Sequence, residues 1–342
     1  MAYSTIPKSS SYFNTKIYTG NGSAGHSITG VGFQPDWVWI KTRSDSNNHT
    51  IFDAVRGVTK RLRSNQNNAE NTSSGVTSFD SDGFTVGTDS AGNSGTMVSW
   101  NWKANGLGSS NTDGTINTTY TSANTTSGMS IIQYNGNGSA GATIGHGLGV
   151  APKCVIIKRT DTTSNWIFGT GATGFTKFLY LNTTDAETTN AGAFNNTAPS
   201  SSVITLGSWN DVNNSSGTYI CYAFAEKTGF SKFGSYIGNA NADGPFIYTG
   251  FKPAFVLLKT SSYAESWIMI DNQRLGYNGS SALLRADDSG AEVTTLVNPD
   301  FLSNGFKVRN TNNWYNKNSE TYIYMAFGQP IVSTNGDIAT AR

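Results

Sequence analysis

Tyr18-Thr19-Gly20-Asn21-Gly22-Ser23-Ala24-Gly25 returns as Tyr134-Asn135-Gly136-Asn137-Gly138-Ser139-Ala140-Gly141, with seven of eight residues the same. A looser copy begins at Tyr236-Ile237-Gly238-Asn239-Ala240-Asn241-Ala242. Self-similarity of this kind decides architecture before any local propensity does. The neighbouring blocks extend it. Gly32-Phe33-Gln34-Pro35 leads into Trp37-Val38-Trp39-Ile40-Lys41. Gly149-Val150-Ala151-Pro152 leads into Cys154-Val155-Ile156-Ile157-Lys158, and Gly250-Phe251-Lys252-Pro253 into Phe255-Val256-Leu257-Leu258-Lys259. Leu62…Ala69-Glu70 matches Leu179…Ala186-Glu187 and, more loosely, Leu283…Ala291-Glu292. Each copy closes on an aromatic run: Met97–Trp102, Tyr219–Phe224 and Tyr322–Phe327. Pro35 to Pro152 and Glu70 to Glu187 are both 117 positions; Pro152 to Pro253 is 101 and Glu187 to Glu292 is 105. Chance similarity would not keep one offset through several blocks in one order.

The blocks read as strands. The run Trp37 to Lys41 is short and continuously apolar up to its closing lysine, as in a strand buried on both faces. Asp80-Ser81-Asp82-Gly83 and Ser303-Asn304-Gly305 are turns feeding strands. No segment carries a capped apolar stripe at helical period. The chain is therefore read as all-β, with tandem β-sandwich or jelly-roll modules, lectin-like, in three related repeats. The expected boundaries are an N-terminal arm at 1–16 and modules at 17–104, 129–229 and 230–330. A Gly/Ser/Thr/Asn linker spans 105–128, and a tail spans 331–342. Such a linker is expected to be flexible. The short Glu226–Gly229 connection is expected to hold modules two and three rigidly, giving a rod with one hinge. The polar arm is a candidate docking segment.

Composition narrows the function. Charged residues are 13% of 342, against about 25% in ordinary domains, and the net charge is +1. That balance gives no footprint for nucleic acid or an anionic membrane. The N-terminus has no apolar h-region, so synthesis in a cytoplasm without a signal peptide is expected. No apolar stretch reaches about 18 residues, so no membrane insertion is expected. Cys154 and Cys221 lie in apolar runs and are read as free buried thiols, with a disulfide as the alternative.

No catalytic constellation is visible. His26, His49 and His146 are read as surface or turn residues, with no metal-ligand spacing. No metal or cofactor is expected. Asp80-x-Asp82-Gly83 lacks the further oxygen ligands of a calcium loop and reads as a plain turn. Asp53 and Arg56, with Asp271 and Arg274, read as structural ion pairs that module two has lost. Glu70, Glu187 and Glu292 lie a module apart, so they form no glycosidase pair. Trp166 and Trp267 occupy matching strand positions and read as core. The candidate contact residues are module-specific: Trp209, Asn210 and Asp211, and Asn313, Trp314 and Tyr315. A ring flanked by amides and a carboxylate suits a sugar, and it equally suits a protein partner.

Three blocks carry a family resemblance: Gly32-Phe33-Gln34-Pro35-Asp36-Trp37-Val38-Trp39-Ile40-Lys41, Ile51-Phe52-Asp53-Ala54-Val55-Arg56-Gly57, and Ser78-Phe79-Asp80-Ser81-Asp82-Gly83-Phe84-Thr85-Val86-Gly87 with the closing Trp100-Asn101-Trp102-Lys103. Together they resemble the sandwich modules of predicted virion structural proteins of marine bacteriophages. The resemblance implies a non-enzymatic virion component, of tail-fibre or appendage type and contributing to host-surface attachment. It brings no assigned active site. The partners it implies are other virion proteins, further copies of the chain (a homotrimer is usual for such appendages) and a host-surface glycan. A capsid decoration protein and a carbohydrate-binding lectin are the alternatives, with an envelope hydrolase behind them.

Overall fold

The computed structural model describes residues 4–6, 8–274, 278, 282–296 and 299–330. The described strands fall into three successive units. In the first, β1 (Phe13–Asn21), β2 (His26–Thr29), β3 (Trp37–Thr42) and β4 (Thr50–Asp53) lead to the short β5 (Lys60–Arg61) and β6 (Asn71–Thr72). β7 (Ser78–Asp80), β8 (Gly83–Val86), the one-turn α1 (Ser90–Asn93) and β9 (Ser94–Trp102) complete it. The second holds β10 (Tyr120–Asn124), β11 (Met129–Asn135), β12 (Thr143–Gly145), β13 (Cys154–Arg159), β14 (Trp166–Thr170), β15 (Lys177–Tyr180) and β16 (Thr188–Thr189). α2 (Ala191–Phe194), β17 (Val203–Thr205), α3 (Asn210–Asn213) and β18 (Thr218–Phe224) follow. The third holds β19 (Ser231–Ile237), β20 (Phe246–Tyr248), β21 (Phe251–Thr260), β22 (Ile268–Asp271), β23 (Leu284–Arg285), β24 (Asp300–Leu302), β25 (Gly305–Lys307), α4 (Asn313–Asn316) and β26 (Thr321–Pro330).

The same antiparallel order recurs in the large sheets: β1-β9-β3-β4, β11-β18-β13-β14 and β19-β26-β21-β22. A small sheet lies across each: β2-β8-β7, β12-β17 and β20-β25-β24. Within each unit the two sheets enclose a private core, for example Ile28, Val38, Ile40, Phe52, Phe84 and Met97. That is the all-β sandwich expected from the alternation of turns and apolar runs.

The strands are apolar on both faces because the large sheets bury both. Their other faces meet in one core drawn from all three units: Trp37, Trp39, Trp100 and Trp102 with Trp166, Phe168, Tyr222 and Phe224, and with Phe255, Leu257, Trp267 and Phe327. Trp37 stacks on Tyr222 with centroids 4.6 Å apart, Phe168 meets Trp267 at 4.7 Å, and Phe13 meets Phe327 at 5.4 Å. Aromatic pairs at these separations add stabilisation beyond their buried area. A hydrophobic mass shared three ways gives a closed cluster, in place of the expected rod with a hinge.

Two stretches differ from their expected roles. Residues 105–128 are folded: β10 pairs with β11 from Tyr120↔Gln133 to Asn124↔Met129, and Ile116 bridges Ile144 in parallel. Ser122 and Thr118 are buried here, and their hydroxyls accept from the Asn105 and Asn111 amides. A polar segment can cover a sheet when its hydroxyls and amides find partners. The expected arm also joins the fold. Ile6 is fully buried in the shared core, the Thr5 amide donates to the Thr228 carbonyl, and β1 starts at Phe13. The expected tail, 331–342, lies outside the described residues.

Cys154 and Cys221 are free and buried. In the β13–β18 register Cys154 faces Phe224 and Cys221 faces Ile157. The two thiols point into different cores, which excludes a bond between them.

Candidate functional site

The repeated Gly-Asn-Gly-Ser loop is fixed from beneath by a buried asparagine at the end of α1, α3 or α4. The Asn93, Asn213 and Asn316 side chains accept from the Asn21, Asn137 and Asn239 amides. Their amide groups donate back to the Ser23, Ser139 and Asn241 carbonyls. The tyrosine that opens the motif is tied the same way: Tyr18, Tyr134 and Tyr236 donate to the carbonyls of Gly92, Val212 and Tyr315. A buried Asn with its donors and acceptor all used rigidifies what it holds. These short helices therefore present their outer residues on a fixed frame.

The candidate contact residues sit on α3 and α4. Trp209 caps α3 and is half-buried. Its ring meets Phe178 edge-on at 5.0 Å, and it lies so close to Gly192 that a Cβ there would be 2.2 Å from Nε1. Asn210 is exposed and accepts from the Asn214 amide. Asp211 is half-buried and accepts from the Ser164 hydroxyl at 2.5 Å. On α4, Asn313 is exposed, and Trp314 is half-buried with the Arg285 guanidinium 5.8 Å from its ring centre. Tyr315 is fully buried in the third core, and its carbonyl accepts from Tyr236. It is a core residue and not a contact residue. Trp209 and Trp314 pack on different private cores and form no shared platform.

A second set of polar groups lies at the joints between units, and the contacts run in a cycle. Trp166 Nε1 donates to the Arg63 carbonyl, Trp267 Nε1 to the Tyr180 carbonyl, and His49 Nε2 to the Arg285 carbonyl, each at 2.9 Å. The Glu70, Glu187 and Glu292 amides donate to the Thr160, Ser261 and Arg43 carbonyls at 2.8–2.9 Å. Unit one thus holds unit two, two holds three, and three returns to one. His49 stands where the other units have tryptophan. It is wholly buried, not a loop surface residue. Trp39 Nε1 donates to its Nδ1 at 2.8 Å, which fixes the proton on Nε2. Burial, with Lys41 nearby, lowers its pKa to about 3. His146 is also buried; its Nδ1 accepts from the Leu148 amide.

Lys41, Lys158 and Lys259 end the three central strands and are fully buried. Their ammonium groups are held by carbonyls: Thr42 and Asp45, Asn67 and Arg159, Thr184 and Thr260. Burial lowers their pKa values to about 8, 7 and 8. The lysine is aligned in all three sequence blocks, and that recurrence in an apolar strand was the available signal. His49 left none, because it matches neither tryptophan in kind.

Asp53 accepts from Arg56 Nε at 2.6 Å and from the Tyr222 hydroxyl of the next unit at 2.7 Å. Asp271 accepts from Arg274 Nε at 2.6 Å and from Trp100 Nε1 at 3.0 Å. Each arginine reaches a glutamate as well, Glu70 or Glu292. These are the expected ion pairs; each lies within one unit, and its aspartate is hydrogen-bonded across a joint. Asp82 is a turn residue that accepts from the Gly30 and Gly32 amides. Among the described residues no group of three His, Cys, Asp or Glu is placed to hold a metal ion.

A family model described as a domain of unknown function (DUF7483) matches residues 8–330. The chain belongs to that family. The DUF7483 match takes in all three units and the segment between the first two, so it coincides with the closed cluster and not with a single sandwich. No curated protein and no solved structure matches the chain.

Proposed function

We propose that the chain is a non-enzymatic structural protein of a bacteriophage virion, an appendage component of tail-fibre type that contributes to host-surface attachment. The observation that carries the reading is where the resembling blocks lie. Trp37, Trp39, Asp53, Arg56, Trp100 and Trp102 supply the shared core and the locks between units. The likeness to virion modules therefore concerns the parts that make this scaffold rigid. Other virion proteins and further copies of the chain, as a trimer, are the partners this reading gives it.

Mass spectrometry and cryo-EM of purified particles test it. Peptides of this chain at a fixed copy number, with its density on the tail, are the expected result. Density on the capsid faces would move the assignment to a decoration protein, and absence from the particle would remove it. A glycan-binding role is favoured by one observation: Trp209 and Trp314 are only half-buried and stand beside exposed Asn210 and Asn313. Glycan-array binding that survives Trp209→Ala and Trp314→Ala together would end that reading.

A further inference from the structure

An asparagine followed by glycine is open to attack by its own main chain, because glycine puts no side chain beside the reacting nitrogen. The described residues hold this pair at 21–22, 105–106, 135–136, 137–138 and 304–305. The Gly22 and Gly136 amides donate to the Asn93 and Gly217 carbonyls at 2.9 Å, and a neutral carbonyl is not a base. Asn105-Gly106 is different. The Gly106 amide donates to Asp36 Oδ1 at 3.1 Å, and the Ala104 amide to Asp36 Oδ2 at 2.7 Å. Among the described residues this is the one Asn-Gly pair with a carboxylate on the glycine N–H.

Asp36 is placed as a base. A general base acts from hydrogen-bond reach of the proton it takes, about 2.6–3.2 Å. Asp36 is buried, and its own amide donates to the Trp102 carbonyl. Burial raises its pKa to about 6; the Ala104 and Gly106 amides and Lys103 oppose the rise, and Asp53 adds to it. It is thus ionised at neutral pH and more basic than an ordinary carboxylate. The Gly106 N–H points at Asp36 in the peptide plane, which leaves the face of the nitrogen free. Asn105 is exposed, and its main chain is fixed by its amide donating to the Ser122 hydroxyl. Its Cγ needs only bond rotation to meet the Gly106 nitrogen. Gln34, Asp36, Lys103, Asn105 and Asn124 line a hollow here that is open to solvent. The second and third units have Lys153 and Ala254 in place of Asp36, so the arrangement is confined to the first.

We infer that Asn105 is a self-modifying site, at which Asp36 takes the Gly106 amide proton and the Gly106 nitrogen closes on the Asn105 side-chain carbonyl carbon to form a succinimide. The new bond joins the Gly106 nitrogen to Asn105 Cγ, and the bond from Cγ to Nδ2 breaks. The proton passes from Asp36 to the leaving nitrogen, which departs as ammonia. Water then adds to either ring carbonyl and opens the ring to aspartate or isoaspartate. The net change is hydrolysis of one amide, with water as the sole co-reactant. Isoaspartate adds a methylene to the main chain where it leaves the first unit. The site is separate from the Trp209 and Trp314 loops and does not depend on the virion reading.

Peptide mapping by mass spectrometry, with the full chain aged across about pH 5 to 9, tests this against the titration of the base. Conversion at Asn105 should rise through about pH 6 and then level off, as Asp36 ionises. The pair at 137–138 is the internal reference, since no carboxylate meets the Gly138 amide among the described residues; its conversion should keep climbing with hydroxide. Asp36→Asn keeps an acceptor and removes the base. It should slow Asn105 by about a hundredfold, the lower end of what a positioned base contributes. The pH profile of the unaltered chain decides alone if that variant does not fold. Three results overturn the inference: an Asn105 that keeps its amide throughout, conversion there that climbs with hydroxide as at Asn137, or conversion that Asp36→Asn fails to slow.

Discussion

The joint between units two and three shares one backbone pattern with the two joints that flank it and lacks the buried ion pair that both of those carry. All three carry an amide from Glu70, Glu187 or Glu292 and an imidazole or indole on a carbonyl of the neighbour. Asp53–Arg56 and Asp271–Arg274 add an ion pair at the first and third joints. At the second, Thr170 and Thr173 take those places. The neighbouring unit has changed in step. Tyr222 and Trp100 offer a donor to the aspartate, whereas the matching residue of β26, set by its pairing with Leu257, is Met325. A buried carboxylate left with an unused acceptor, or a donor left without one, costs free energy. Loss of the pair and loss of the donor are thus one change distributed over two units. The joint that no peptide segment spans, between units three and one, is the most heavily tied. It adds a two-pronged Arg43–Glu292 bridge and a Ser64 hydroxyl donating to the Ala286 carbonyl.

The largest expected effect breaks this comparison directly. Asp271→Ala leaves the Arg274 guanidinium, which has no exposed side-chain surface, without its closest partner. Removing one member of a buried pair costs about 3–5 kcal/mol. Thr170→Ala, at the same place in the second unit, should cost about 1 kcal/mol or less. Equilibrium denaturation of the two variants measures the contrast, and equal losses would show that the ion pair is not what separates the joints.

The next effect is common to all joints. Trp267→Phe keeps the ring against Phe168 and removes the donor to the Tyr180 carbonyl. An orphaned buried carbonyl costs about 1–3 kcal/mol. His49→Phe should cost a similar amount at the third joint, with the Trp39 donor orphaned as well. A His49 variant as stable as the parent would mean that the ring of carbonyl contacts is incidental there.

What the sequence disclosed follows from the same residues. The Tyr-x-Gly-Asn-Gly-Ser blocks, the apolar strands and the Asp/Arg pairs were legible because they recur with their chemistry intact. Strands apolar at consecutive positions also announced two buried faces. They did not announce that the second face belongs to all three units, since Trp37 reads alike against its own sheet or a neighbour's. Residues 105–128 misled through composition: Thr118 and Ser122 are as polar in a buried hydrogen-bonded layer as in a tether. His49 was hidden because it keeps tryptophan's donor and not its identity. Of the candidate site, Trp209 and Trp314 are partly open, while Tyr315 turned inward because α4 begins one residue after Asn312, which caps it.

The buried lysines give a pH effect that does not distinguish the joints. Lys158 ionises near pH 7 and Lys41 and Lys259 near pH 8, lowered by burial. The unfolded chain, with lysines near pH 10.4, then binds more protons than the folded one above these values. Stability therefore rises with pH there, by about 3 kcal/mol between pH 7 and 8.5 when the three lysines are taken together. Above that the buried Cys154 and Cys221 thiols, pushed up by burial, act in the opposite sense. Denaturant midpoints across this range read the slope, and Lys158→Met should flatten it. Falling stability from pH 7 to 8.5 would contradict the burial of these ammonium groups.

The smallest effect separates two neighbouring tryptophans on β9. Trp100 Nε1 has Asp271; the Nε1 groups of Trp37 and Trp102 are buried with no hydrogen-bond partner. Trp102→Phe deletes apolar surface and, at the same time, an unsatisfied donor. The two changes oppose, because an unmet buried N–H already costs the folded state about 1–3 kcal/mol. The net loss should stay within about 1 kcal/mol, even though Trp102 touches Phe13, Trp37, Phe255 and Phe327. Trp100→Phe should cost more, since Asp271 loses an acceptor contact that nothing else at that joint replaces. Two variants on one strand, alike in volume removed, therefore tell packing from locking. If they cost the same, the aromatic mass alone holds units three and one together, and the buried pairs only tune it.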